Sequence, residues 1–217
     1  MEIKLTADGS QTVFCESIGE CYHSSHGAAE EALHVFIESG LSACDKTDVN
    51  ILEVGFGTGL NALLTMQYAE VRSVNVFYTG LEAYPVPEDI WSNLNYSENN
   101  KNEFILMHKQ RFGESVKLNP YFELLKIKNK LEDFTCNAKF DLIYFDAFSY
   151  DAQPEMWSKE IFCKIFEMTN SGGILTTYSS KGIVKRNLRY AGFEIQRLPG
   201  ALGKRHMIRA VKPVKTG

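Results

Sequence analysis

The sequence predicts an α/β fold, with a mostly parallel β-sheet and helices on both of its faces. Short apolar runs rich in β-branched residues alternate with helical patterns along most of the 217 residues, and strands that alternate with helices pair in parallel. The last two apolar runs, 193–198 and 206–211, instead follow each other across a short loop, which predicts an antiparallel final strand. A glycine-rich turn over residues 55–59 joins a buried strand to a helix.

The first 45 residues are the separable part of this plan. Residues 3–6 and 12–15 alternate polar and apolar side chains around Asp8-Gly9-Ser10, which predicts a β-hairpin. Residues 32–37 then have helical periodicity, and Gly40 is a stop signal. We therefore expect a hairpin and cap over residues 1–45, with the polar stretch before the helix as a lid or pocket wall, and one α/β domain over residues 46–217.

The glycine turn after the strand at 51–54 is the centre of the predicted site. Its G-x-G-x-G spacing opens the main chain to a ligand at the carboxyl end of a strand, where α/β folds bind cofactors. The spacing is not the G-x-G-x-x-G of dinucleotide binding, and the Gly-Lys-Ser/Thr of the P-loop is absent. These features favour S-adenosylmethionine (SAM) over NAD or ATP. The predicted contacts are the turn and its polar neighbours: Glu53, Gly55, Phe56, Gly57, Thr58, Gly59 and Asn61.

The second strand of the domain is predicted over residues 74–80, after a helix at 61–70. Glu82 follows it, about 20 residues beyond the glycine turn, where nucleotide-binding α/β folds carry an acid that accepts hydrogen bonds from ribose hydroxyls. We expect this role for Glu82; the alternative is a surface acid at the start of a loop.

The rest of the chain continues the alternation, and the run 140–148 predicts a buried strand that delivers Asp146 at its carboxyl end. Pro154 is expected to open a helix, because proline favours the first helical turn. The other predicted elements are helical material over 88–112 interrupted at 93–102, a strand at 121–128, a turn or short helix at 131–134, a helix from 154 to about 168, a strand at 174–179 and a basic helix at 181–191.

The composition indicates a globular protein with a basic tail. The net charge is −4, but the segment from Lys181 onward holds ten Lys or Arg and one acid, Glu194, which suits a face that binds a polyanion. The five cysteines include no C-x-x-C pair, and no apolar run approaches the length of a membrane span, so we expect free thiols and a cytoplasmic location. His23, His26 and His34 match no zinc spacing, so no metal is expected.

Four stretches of the sequence together carry a family resemblance: Tyr22-His-Ser through Glu30-Glu31, Gly55-Phe-Gly-Thr-Gly-Leu-Asn61, Tyr144-Phe-Asp-Ala-Phe148 with Pro154-Glu-Met-Trp157, and Thr177-Tyr-Ser-Ser-Lys-Gly182 with Gly203-Lys-Arg205. The set resembles the MnmD family of Class I, seven-stranded SAM-dependent methyltransferases. This family is the stand-alone counterpart of the methyltransferase half of the bifunctional tRNA-modifying enzyme MnmC.

The resemblance implies a seven-stranded sheet and methyl transfer from SAM to the aminomethyl nitrogen on carbon 5 of the tRNA wobble uridine. The product is 5-methylaminomethyl-2-thiouridine, and the chain is expected to act on tRNA that already bears the free aminomethyl group. One departure concerns adenine: the stretch 126–130 lacks the Gly-Asp that many SAM enzymes place there, so Asn129 or the main chain is expected to hold the base.

The chemistry assigns further residues. An ammonium cannot attack a methyl group, so Asp146 is expected to orient the amine and accept its proton; the alternative is a structural acid that caps the next loop. Tyr22 and Glu30, or its neighbour Glu31, are expected to contact the methionine end of SAM or the amine. Phe148 and Tyr178 are expected to stack on the uridine. The residues expected to contact phosphates of the anticodon stem-loop are Lys181, Lys185, Arg186, Arg189, Lys204, Arg205 and Arg209. Trp157 is expected to pack in the core.

Two other functions stay open on the sequence. An aminopropyltransferase-like enzyme, or another small-amine methyltransferase of the same fold, fits Asp146 but not the basic tail. A non-catalytic RNA-binding protein with a relict SAM fold fits the altered adenine region but not the intact glycine turn.

Overall fold

The computed structural model describes residues 1–96 and 100–214. Its strands are β1 (Glu2–Leu5), β2 (Gln11–Cys15), β3 (Glu20–Cys21), β4 (Asp48–Val54), β5 (Asn75–Glu82), β6 (Ser115–Asn119), β7 (Phe122–Lys128), β8 (Phe140–Phe145), β9 (Thr169–Thr177), β10 (Glu194–Pro199) and β11 (His206–Val211). Its α-helices are α1 (Ala28–Ala32), α2 (Leu60–Arg72), α3 (Glu88–Trp91), α4 (Lys101–Lys109), α5 (Lys159–Met168) and α6 (Gly182–Ala191). A π-helical segment, Leu33–Glu38, continues α1, and short 3-10 helices span Leu41–Ala43 and Pro154–Trp157.

Over residues 1–96 and 100–214, the main sheet has eight strands in the order β10-β11-β9-β8-β4-β5-β7-β6. The five strands from β9 to β7 are parallel, and β11 runs antiparallel to both β9 and β10. This confirms the predicted class, with its antiparallel last strand.

The count of seven strands was wrong, because β6 adds an eighth strand antiparallel to β7. A tight turn, in which Tyr121 N donates to Asn119 Oδ1 at 2.9 Å, joins β6 to β7. No side chain of β6 is fully buried, so this edge strand carries little of the apolar signal that marks the central strands.

Two hydrophobic cores lie on opposite faces of the sheet. Successive side chains of β4 alternate between them: Ile51 packs with α1, α2 and α4 on one face, and Leu52 packs with α5 and α6 on the other. The same alternation holds in β8, where Tyr144 and Phe145 face opposite sides. The central strands are therefore buried on both faces, as continuous apolar runs predict.

The N-terminal hairpin is present and gains a third strand. β1 pairs with β2, and β3, which the sequence pattern did not predict, pairs with the other edge of β2. Val13 of β2 and Ala28 of α1 belong to the same hydrophobic core as Ile51. The division into a cap at 1–45 and a domain at 46–217 stays a prediction.

Two predicted elements have different bounds. The expected helix from Pro154 is two pieces, since a 3-10 turn precedes α5 and Ser158 caps α5 by accepting from Ile161 N at 3.3 Å. The strand expected at 174–179 begins five residues earlier, at Thr169, with a register shift against β8. Within the described part of the chain, no helix is long and apolar enough to cross a membrane, and the five cysteines are free.

Candidate active site

Two cavities meet at the carboxyl ends of the central strands. The larger, of about 460 Å³, lies over the ends of β4, β5, β7 and β8 and is roofed by the N-terminal sheet. The smaller, of about 220 Å³, lies between the segment 20–36, the loop after β8 and the loop that joins β10 to β11. Three residues named from the sequence line both cavities: Tyr22, Asp146 and Phe148.

The first residue of the glycine turn, Gly55, lines the larger cavity. Gly55 has φ 89°, and a Cβ added there would lie 2.6 Å from the carbonyl oxygen of Asp146. Gly57 has φ 49°, and a Cβ there would lie 2.8 Å from the ring of Tyr22. Both positions therefore need glycine for backbone conformation and for close approach.

Glu82 lies at the end of β5 with its carboxylate against the glycine turn. Its Oε2 accepts from Gly57 N and its Oε1 from Tyr84 N, both at 2.8 Å. Each carboxylate oxygen has a further lone pair, so the group can still accept hydrogen bonds from two ligand hydroxyls. Glu82 lines the larger cavity, where the ribose role requires it.

A buried amide connects two acids beneath the site. Asn61 Nδ2 donates to Glu53 Oε1 and to Asp146 Oδ2, both at 2.8 Å. Glu53 is fully buried, and burial raises its pKa well above the usual range. Glu53 and Asn61 thus support Asp146 from below, and neither lines the two cavities.

Asp146 lies at the junction of the two cavities. Burial raises its pKa to about 7, the nearby Glu31 carboxylate adds to the rise, and Asn61 and Lys204 oppose it. A carboxyl group that titrates near neutral pH can take a proton from an amine and release it again.

The smaller cavity is lined by Glu31, Tyr178 and Lys204 as well as by the three shared residues. The Lys204 ammonium forms an ion pair with the Glu31 carboxylate and lies 5.0 Å from the centre of the Tyr178 ring. The Tyr178 hydroxyl donates to Ala147 O at 2.9 Å, and burial raises its pKa. Tyr22 and Phe148 meet edge to face with 4.9 Å between ring centroids. The cavity therefore combines carboxylates with aromatic walls.

Several predicted contacts lie beneath the cavities. The Phe56 ring is buried and packs so closely on Gly80 that a Cβ there would lie 2.5 Å from it. The Thr58 side chain is buried, and Gly59 caps α2 with φ 76°. These residues shape the turn, and the side chains of Phe56 and Thr58 are buried.

Glu30 is wrongly placed in the prediction. It is exposed, and its N–H donates to Asp8 Oδ2 at 3.1 Å. Its neighbour Glu31, the alternative, faces the smaller cavity.

The basic residues divide into two groups. Lys204 turns into the smaller cavity, and the Arg209 Nε donates to Gln196 Oε1 at 2.7 Å. Lys181, at the start of α6, pairs with Asp151. Arg186 and Arg205 are exposed, Lys185 is partly exposed, and Arg189 is exposed on the same helix.

Several lining residues of the larger cavity were not predicted. The segment after β7 lines it with Lys130, Leu131 and Glu132 beside Asn129, which was predicted as a contact of the adenine base, and the loop before α5 adds Gln153, Glu155 and Met156. For the residues after β7, the only signal in the sequence was their place after a predicted strand, because residues that follow a parallel strand lie at the same edge of the sheet as the glycine turn. Trp157 is fully buried, as expected, and its Nε1 donates to Phe148 O at 2.9 Å.

The fold and these cavities define a class, that of α/β enzymes with a cofactor site at the carboxyl edge of the sheet. A family model described as S-adenosyl-L-methionine-dependent methyltransferase matches residues 95–213. The match covers more than half of the chain, which therefore belongs to this family, and SAM is its cofactor.

Curated relatives and a solved structure agree with that assignment. The "tRNA 5-methylaminomethyl-2-thiouridine biosynthesis bifunctional protein MnmC" of Pseudomonas fluorescens (strain Pf0-1) is 29% identical over an alignment of 211 residues that covers 88% of this chain and 32% of the relative. The protein of the same name from Ectopseudomonas mendocina (strain ymp) is 31% identical over 215 residues, again 88% and 32%. The chain thus spans about a third of the length of these relatives. MnmC2 from Aquifex aeolicus superposes with a TM-score of 0.81 at 26% identity, over 98% of this chain and 70% of that one.

The larger cavity fits SAM. Its acids, Glu82, Glu132 and Asp146, suit a cationic sulfonium, and its apolar walls at Leu131 and Met156 suit a flat base. Gly55 lines this cavity with its main chain, since it has no side chain.

Proposed function

We propose that this enzyme methylates the aminomethyl nitrogen on carbon 5 of the tRNA wobble uridine and so forms 5-methylaminomethyl-2-thiouridine. The observation that carries the proposal is the position of Asp146, which lines both the cavity that fits SAM and the smaller cavity with aromatic walls. A methyl donor and an amine that occupy the two cavities would meet beside one carboxylate. The names of the MnmC relatives supply the substrate.

The protein's contribution is to position the reactants and to manage one proton. Bound SAM supplies an electrophilic methyl group on sulfur. Asp146 accepts the proton of the acceptor's ammonium group and keeps the nitrogen lone pair aimed at the methyl group, because its pKa of about 7 allows both charge states near neutral pH. Holding the two reactants at attack distance supplies several kcal/mol of the rate acceleration.

The other roles follow from the positions of the residues. Gly55 and Gly57 offer main chain to the cofactor, and Glu82 binds its ribose. Asn61, supported by Glu53, holds Asp146. The cap over residues 1–45 closes the site through Tyr22, which walls both cavities.

The acceptor tRNA enters from the side of α6. Phe148 and Tyr178 stack on the extruded uridine, since recognition of single-stranded RNA relies on aromatic platforms. Lys181, Lys185 and Arg186 on α6, with Arg205, bind phosphates of the anticodon stem-loop. A tRNA substrate also implies action in the cytoplasm.

The test is methyl incorporation from labelled SAM into tRNA that bears 5-aminomethyl-2-thiouridine. We expect methylated nucleoside after digestion of this tRNA and none with tRNA that lacks the amine. SAM binding without methyl incorporation into the amine-bearing tRNA would refute the substrate. Absence of SAM binding would contradict the role of the larger cavity.

A further inference from the structure

The loop between β10 and β11 closes one side of the smaller cavity. It rests on the cap, because a Cβ on Gly27 would lie 2.8 Å from Leu202 Cδ1, and the His34 ring lies 2.9 Å from Pro199 O through its Nε2. The loop also sends Lys204 into the cavity. The cap and this loop are 173 residues apart at the Glu31–Lys204 ion pair, so their contact comes from tertiary structure alone.

Glu31 is an unusual acid for a helix surface. The residue is only 8% exposed, because it lies on the buried stripe of α1 between Ala28 and Ala32. One carboxylate oxygen accepts from Ser24 N at 3.2 Å, and the other meets the Lys204 ammonium. A buried carboxylate without a cation is costly, so Glu31 needs a positive partner.

The surroundings of the Lys204 ammonium form a binding site for a cation. Glu31 contacts it directly, the Tyr178 ring lies 5.0 Å away, and Asp146 lines the same cavity. Carboxylates combined with an aromatic face are the surroundings in which proteins bind alkylammonium ligands. The acceptor proposed above carries an alkylammonium group on a flat ring.

We propose that Glu31 binds the acceptor's ammonium group, and that Lys204 occupies this position until the acceptor displaces it. The proposal rests on the proposed function for the identity of the acceptor. The exchange replaces one ammonium by another, so Glu31 is paired before and after binding. The side chain of Lys204 is 38% exposed and that of Glu31 is 11% exposed, so the lysine can leave toward solvent while the acid stays.

The chemical step that follows is balanced. The ammonium held by Glu31 gives one proton to the Asp146 carboxylate and becomes a neutral amine. Its lone pair forms the new C–N bond as the C–S bond of SAM breaks, and that electron pair stays on sulfur in S-adenosylhomocysteine. The product is a secondary ammonium, and Asp146 returns its proton to solvent.

The experiment measures binding of two amines that carry no phosphate, benzylamine and 5-aminomethyluridine, by calorimetry in the presence of S-adenosylhomocysteine. Lys204→Ala and Lys204→Met, which keeps the apolar stem, should each bind both amines about fivefold more tightly, the upper range for a half-exposed ion pair. Glu31→Gln added to Lys204→Met should weaken binding roughly tenfold, as expected for loss of a hydrogen bond between charged groups. Unchanged or weaker amine binding after removal of Lys204 would overturn the proposal.

Arg205→Ala is the matched control for a phosphate contact. It should raise KM for tRNA and leave amine binding unchanged, whereas the Lys204 variants should lower the KM for 5-aminomethyluridine. A Lys204 variant that behaves like Arg205→Ala would also overturn the proposal. If amine binding depends on Glu31 but no tRNA is methylated, the proposed function fails and the ammonium site stands for another amine.

Discussion

The two cavities of this enzyme are built in different ways. The larger cavity, which is the donor cavity of the proposed function, rests on main chain: Gly57 N is fixed to Glu82 over a separation of 25 residues, and Gly55 lies against the carbonyl of Asp146. The smaller cavity, which is the acceptor cavity of the proposed function, depends on side chains, chiefly the ion pair between Glu31 and Lys204. Backbone contacts without space for a Cβ fix one geometry, and an exposed lysine can change its rotamer.

This difference matches the tasks of the two cavities. SAM is the same molecule in every turnover, so a fixed turn of glycines can be preorganised for it. The proposed acceptor is a nucleotide of a large RNA that would have to enter and leave, and a side-chain ion pair at the entrance of the cavity is easily exchanged. Asp146 belongs to both cavities, because its carbonyl touches the glycine turn and its carboxylate lines the acceptor cavity.

The largest effect is expected at Asp146, which lines both cavities. Asp146→Ala should lower kcat by about 100- to 10 000-fold, the usual contribution of a positioned proton acceptor, and SAM binding should be retained. In the wild type, kcat/KM should fall as the pH drops below about 7, because the carboxylate becomes protonated. Single-turnover methylation and calorimetry with SAM check both parts. Loss of SAM binding together with activity would instead indicate a structural role for Asp146.

A substitution at Gly55 tests the rigidity of the donor cavity. Gly55→Ala forces a side chain into a left-handed conformation and against the Asp146 carbonyl, so we expect a loss of about 1–3 kcal/mol in stability and much weaker SAM binding. Gly113→Ala is the matched control, since Gly113 has φ 83° and its Cβ would meet no atom within 4 Å. Thermal unfolding and calorimetry measure both variants. Equal SAM affinity in the two would contradict a fixed donor cavity.

The same contrast explains what the sequence could predict. The glycine turn and Asp146 directly follow strand ends and Glu82 ends β5, so local pattern was sufficient to place them at this edge of the sheet. Glu31 and Lys204 form a pair that only tertiary structure brings together, and no local signal links one glutamate to one lysine. Glu30 and Glu31 were alternatives for a single predicted contact.

Helical phase would have distinguished the two acids. Glu31 lies three residues after Ala28 and four before Val35, on the buried stripe, while Glu30 is rotated by about 100° toward solvent. The fold was predicted well where strands are buried on both faces. It was predicted less well at β3 and β6, which are short or half-exposed and therefore have weak periodicity.

An intermediate effect is expected from Asn61, whose side-chain amide donates a hydrogen bond to Asp146. Asn61→Ala removes a hydrogen bond to the charged form of Asp146, so the pKa of that carboxyl should rise further, by about one unit. The acidic limb of the kcat/KM profile should move to higher pH by the same amount. Asn187→Ala controls for stability, because Asn187 also donates one buried hydrogen bond, to Trp157 O at 2.8 Å. If the pH profile of kcat/KM is unshifted in Asn61→Ala, Asn61 does not affect the proton transfer at Asp146.

The smallest effect is expected at Arg186, which lies on α6 outside the acceptor cavity. Arg186→Ala should raise KM for tRNA about two- to fivefold, reduce the salt slope of tRNA binding by about one, and leave KM for 5-aminomethyluridine unchanged, because a phosphate contact adds affinity without touching the uridine. Arg72→Ala is the matched control: Arg72 is also exposed, and it ends α2, about 18 Å along the helix from the glycine turn. Filter binding at several salt concentrations measures both variants. Equal salt slopes for the two would show that α6 does not contact the tRNA backbone, and would confine acceptor recognition to the cavity itself.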